Sequence, residues 1–60
     1  MSLGSGLKKW SKEWADDFMA TLEANEGTMA EMAALQVTCD QYEIDWADHP
    51  RVFEIASKNK

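Results

Sequence analysis

The apolar positions of this chain recur in threes and fours. Leu7, Trp10, Trp14, Phe18 and Leu22 follow one another at spacings of three, four, four and four. That rhythm sets them along one face of an α-helix. Ala15 and Met19 widen one flank, while Lys9, Lys12, Glu13, Asp16, Ala20 and Glu23 fall opposite. The pattern predicts a first helix over residues 7–24. A start at Ser11 is the alternative, because lysines in a first turn oppose the helix dipole. The Leu7, Trp10, Trp14 rhythm favours the earlier start. A strict heptad counted from Leu7 would put Asp17 at a core position. The repeat therefore follows the 3.6-residue period of globular packing, not the seam of a long coiled coil.

Asn25, Glu26 and Gly27 interrupt the pattern, and Gly27 suits a left-handed helix cap. Thr28 and Glu31 have the spacing of a capping box, which predicts a second helix over residues 29–42. Met32, Leu35, Cys39 and Tyr42 share its main apolar face. Ala30, Ala33 and Ala34 allow a neighbouring backbone to come close. The short connection folds the two helices into an antiparallel hairpin. Trp14 is then expected against Leu35 and Cys39, and Phe18 against Met32. Ile44 to His49 reads as a loop or an extra turn. Pro50 disfavours a helical residue before it and is well placed as a first helical residue. A short third helix over residues 50–57 follows, with Asp48 or His49 as its cap. Val52, Phe53, Ile55 and Ala56 form its apolar side, and Lys58 and Lys60 lie at its negative end. The expected fold is all-α: an antiparallel helical hairpin (7–24 and 29–42) plus a short C-terminal helix (50–57). Residues 1–60 form a single small domain, with 1–6 flexible.

Composition sharpens this picture. A chain of 60 residues buries only about 60% of its extended surface, so packing must be efficient or shared with another chain. Cys39 is the sole cysteine, which rules out an intrachain disulfide. The hydrophobic fraction of 45% argues against general disorder. Net charge is −5, unevenly spread. From Glu13 to Glu54 lie all eleven acids and only Arg51, a local net of −10. Such a field disfavours nucleic acid and anionic membranes and suits a basic partner. No apolar run reaches membrane-spanning length. The N-terminus lacks a hydrophobic signal core, so the cytoplasm is the expected compartment.

The residues that carry chemistry form no convincing catalytic set. Cys39 lies on an apolar face, where a buried structural thiol is the simpler reading. His49 directly precedes Pro50 and suits a surface or capping role. Glu43, Asp45, Asp48 and His49 lack the ligand rhythm, central glycine and final glutamate of a calcium loop. The helical Glu-x-x-His pairs of di-iron bundles are absent as well. There is no glycine-rich phosphate cradle. An enzyme, a metal site and a cofactor are therefore not expected.

Three tryptophans in so short a chain exceed what a two-helix hairpin encloses. Trp10, Trp14, Trp46 and Tyr42 are the expected interface residues, with Asp16, Asp17, Asp45 and Asp48 as rim charges. The expected function is protein–protein interaction, as a small accessory, adaptor or inhibitor subunit bound to another protein or to a second copy of itself. Two alternatives come from other classes. One is an acidic nucleic-acid mimic that occupies a nucleic-acid-binding protein. The other is a small non-catalytic subunit of an enzyme complex.

Overall fold

A computed structural model describes residues 6–58. It contains α1 (Lys12–Glu26), α2 (Glu31–Gln41), a single 3₁₀ turn (Trp46–Asp48) and α3 (His49–Ser57). The fold is all-α. α1 and α2 pack as a hairpin, and the short α3 leans on α1. The expectations for residues 1–5 and for Lys60 lie outside the described residues.

α1 begins at the later of its two expected starts. Ser11 is the N-cap, and its Oγ accepts the Trp14 N–H at 3.1 Å. That bond satisfies an otherwise orphaned donor. It also leaves Lys8 and Lys9 outside the positive end of the helix, where their charge would be unfavourable. Before the cap, the Ser11 N–H closes a tight turn onto the Lys8 carbonyl at 3.1 Å. Trp10 sits in that turn at φ +72°. This conformation is strained for a residue with a side chain. It brings the Trp10 ring 5.0 Å from Trp14 and beneath the Arg51 guanidinium, 4.9 Å from the ring centroid. The neighbouring positions of Trp10 and Trp14 thus arise although Trp10 lies outside α1.

The expected capping box does not form. The hydroxyl and N–H of Thr28 both donate to the Asn25 carbonyl, at 3.1 and 3.0 Å. Thr28 therefore closes the end of α1 and does not open α2. Gly27 stays right-handed at φ −75°, its N–H donating back into α1. The chain then extends through Ala30, which occupies the N-cap position of α2 with no side chain to cap it. α2 consequently begins two residues later than Met29.

The far end of α2 is better closed. The Ile44 N–H donates to the Cys39 carbonyl at 3.0 Å, and the Glu43 N–H to the Asp40 carbonyl at 3.1 Å. Together these bonds make a Schellman motif. Its left-handed residue is Glu43 at φ +57°, where glycine is the usual occupant. Lys9 Nζ donates to the Glu43 carbonyl at 2.8 Å and ties the segment before α1 to this cap.

α2 is also rotated from its expected face. Ala34, Thr38, Cys39 and Tyr42 are buried, and Met32 is 62% exposed. Small Ala34 and Thr38 let the α1 rings approach the α2 backbone. The Thr38 hydroxyl remains satisfied, donating to the Ala34 carbonyl at 2.7 Å and accepting from Asn25 Nδ2 at 2.8 Å. Phe18 therefore does not meet Met32 as a core layer. It packs instead on Tyr42 (5.2 Å, 64°) and on Phe53 of α3 (6.5 Å, 64°). α3 begins at His49, one residue before Pro50, and contributes fully buried Val52. Asp48 holds its N-cap position without a side-chain capping bond.

Candidate functional site: an apolar groove with an acidic rim

The expected interface residues do not converge on one surface. Trp14 and Tyr42 are 3% and 4% exposed and belong to the core. Trp14 meets the Tyr42 ring edge-on at 5.9 Å and Phe18 at 6.2 Å. Neither Trp14 nor Tyr42 offers surface to a partner in this fold. The expectation treated the hairpin alone as their shelter, but α3 completes the enclosure through Val52 and Phe53. Trp10 is half-buried against Trp14 and Arg51. Trp46 is the open one, 43% exposed, with its ring 4.5 Å from His49. The His49 Nδ1–H donates to the Trp46 carbonyl at 2.6 Å, which fixes this turn at the head of α3.

The expected rim acids are likewise scattered. Asp16 pairs with Lys12 at 2.8 Å along the exposed side of α1. Asp17 belongs to the core's polar edge: its carboxylate accepts the Tyr42 hydroxyl proton at 2.6 Å, and Thr21 Oγ1 lies 2.7 Å from the same phenol oxygen. Burial, followed by the hydrogen bond to Asp17, raises the Tyr42 phenol above its ordinary value. Asp45 and Asp48 sit around the 3₁₀ turn, where the Asp48 N–H donates to the Asp45 carbonyl at 2.9 Å.

A concave feature lies elsewhere, at the turn end of the hairpin. It is a groove of about 540 Å³. Met19 and Leu22 of α1, Met32 and Leu35 of α2 and Phe53 of α3 line it with apolar side chains. Glu23, Glu26 and Glu31 also line it, and no lysine or arginine does. All three glutamates are exposed. The groove follows from how the helices are cut. α1 has 15 residues and α3 only 9, so at about 1.5 Å per residue α3 covers little more than half of α1. Leu22 itself stays buried, but Met32 beside the groove is 62% exposed. The sequence held a sign of this in Met32 and Leu35, which have no aromatic counterpart once Phe18 is claimed by Tyr42. A second sign is Glu23 and Glu26 in the last turn of α1, against the local dipole preference.

A built ligand site sets a few convergent polar groups in an apolar pocket. Here the polar lining consists of three solvated carboxylates on the rim. Cys39 is buried, which pushes its thiol above the ordinary range and suppresses the thiolate. Among the described residues, no three His, Cys, Asp or Glu side chains group as metal ligands. No helix among them is long and apolar enough to cross a membrane. No protein-family model matches the chain, and neither does any curated protein or solved structure.

Proposed function

We propose that this chain works as a small accessory protein that binds another protein through the groove at the turn of its hairpin. One observation carries the reading. In a fold whose aromatic residues mostly shelter one another, a methionine-floored groove of about 540 Å³ stays open, with Met32 62% exposed. Methionine is pliable and polarisable, which suits a surface that must fit an incoming side-chain set. Exposed apolar area of this kind, edged by charge, is characteristic of protein-binding surfaces.

Affinity capture from native extract, read by mass spectrometry, tests the proposal with three chains. Wild type and Trp46→Ala are expected to recover the same partner, and Met32→Asp is expected to lose it. Met32 is exposed, so its replacement leaves the core intact. Recovery lost only by Trp46→Ala would move the interface to the 3₁₀ turn. Equal recovery by all three would refute a role for the groove.

A further inference from the structure

We infer that the occupant of this groove is an amphipathic α-helix of another protein, with lysines or arginines flanking its apolar stripe. The inference rests on the protein-binding reading above and names the chemistry of the partner.

The backbone argues for a helix. No strand occurs among the described residues, and the groove walls are helices whose main-chain groups bond internally. An extended segment laid here would find no sheet edge for its own N–H and C=O groups, whereas a helix brings its hydrogen bonds with it. Two antiparallel helices also leave a crevice that a further helix fills, as in a four-helix bundle. Met19, Leu22, Glu23 and Glu26 stand at helical spacing along one wall, and Glu31, Met32 and Leu35 along the other. Each wall thus presents apolar residues with carboxylates beside them, the complement of an apolar stripe with basic flanks.

Charge decides the sign. Glu23 and Glu26 sit in the last turn of α1, which holds no basic residue. Carboxylates are disfavoured at that negative end. Local conflicts of this kind concentrate at functional sites. A cationic partner would relieve it. The same charge disfavours a second copy of this chain. A two-fold pairing through the groove would set each chain's three glutamates against its partner's. Lys9 and Lys12 lie at the opposite end of α1, held by the Glu43 carbonyl and Asp16.

The test uses the full chain and two synthetic helical peptides of about five turns. Both carry leucine and phenylalanine along one stripe. One has lysine flanks and the other glutamate flanks. Carbon-13 methyl NMR of methionine reads the site, since Met19 and Met32 line the groove and Met29 does not. The lysine peptide is expected to move the Met19 and Met32 methyls and spare Met29. It should bind at least about ten-fold more tightly than the glutamate peptide, with the gap narrowing as salt rises. Changing Glu23, Glu26 and Glu31 together to glutamine should abolish the preference while the circular dichroism stays unchanged. Equal binding of the two peptides, or no binding of either, would overturn the inference. So would methyl shifts that depend on protein concentration without peptide, which would mark a second copy as the occupant. If Met32→Asp loses the native partner but the peptides show no charge preference, protein binding stands and the basic helix falls. If Met32→Asp captures the partner as wild type does, the protein-binding reading itself falls.

Discussion

The two ends of the α1–α2 hairpin are built from the same pair of helices and differ in what covers them. At the Trp14 and Phe18 end, Tyr42 closes the space from α2, and Val52 and Phe53 close it from α3. Every buried side-chain polar atom among the described residues has a partner. At the turn end, α2 brings Met32 and Leu35 to α1, α3 contributes only Phe53, and a groove remains. The lesson is that apolar content does not decide which surface stays open. The aromatic cluster of Trp14, Phe18 and Tyr42 is sealed. The open end is lined mainly by flexible methionine and leucine.

Substitutions at the two ends should separate them sharply. Phe18 is fully buried, and Phe18→Ala is expected to cost about 3–5 kcal/mol. A domain of this size has only about 3–9 kcal/mol of total stability, so urea titration should find the variant largely unfolded. A stable Phe18→Ala protein would mean that the aromatic end is not the core.

Tyr42 tests the polar edge of the same end. Its phenol is raised from the ordinary value of 10.0 in the folded state, so folding favours the protonated form. That contribution is complete below pH 10 and is lost as pH rises through the higher folded value. Wild type should lose stability above about pH 10, and Tyr42→Phe should lack that component. At neutral pH the replacement should cost about 1–2 kcal/mol for the bond to Asp17. Parallel urea titrations of the two proteins across alkaline pH make the comparison. Coincident pH profiles would show that the phenol is not held by Asp17.

The caps provide smaller gains in stability. Ala30→Ser should add about 1 kcal/mol, because Ala30 already has the extended backbone of an N-cap and lacks only the oxygen. Glu43→Gly should add about 0.5–1 kcal/mol by relieving the left-handed conformation. The Lys9 bond would survive this change, since it reaches the backbone carbonyl. Thermal melts would register both as higher midpoints, and a lower midpoint for Ala30→Ser would contradict the assigned start of α2.

The groove end should respond least. Glu26→Lys is expected to stabilise by a few tenths of a kcal/mol, about what one charge at a helix terminus contributes. The same change should weaken any basic occupant. Met32→Ala should alter stability by no more than about 0.5 kcal/mol. If Met32→Ala destabilised as Phe18→Ala does, the two ends would not differ and the groove would be part of the core.

Helical periodicity alone determined the all-α class, the hairpin and the break near Gly27. The spacings of Trp14, Phe18 and Leu22, and the position of Pro50, are local properties that any tertiary arrangement must accommodate. The terminal turns were less legible because two local signals competed at each. Ser11 overruled the Leu7 and Trp10 rhythm as a cap. Thr28 bonded backward to Asn25 when the chain needed an extended residue at Ala30. Only the tertiary structure decided which aromatics are hidden and where the groove lies. Both depend on the rotation of α2 and the reach of α3. The rotation puts Ala34 and Thr38 against α1 in place of Met32. Such choices arise from volumes fitted between helices, and a periodicity read along one chain carries no information about the size of the side chains it will meet.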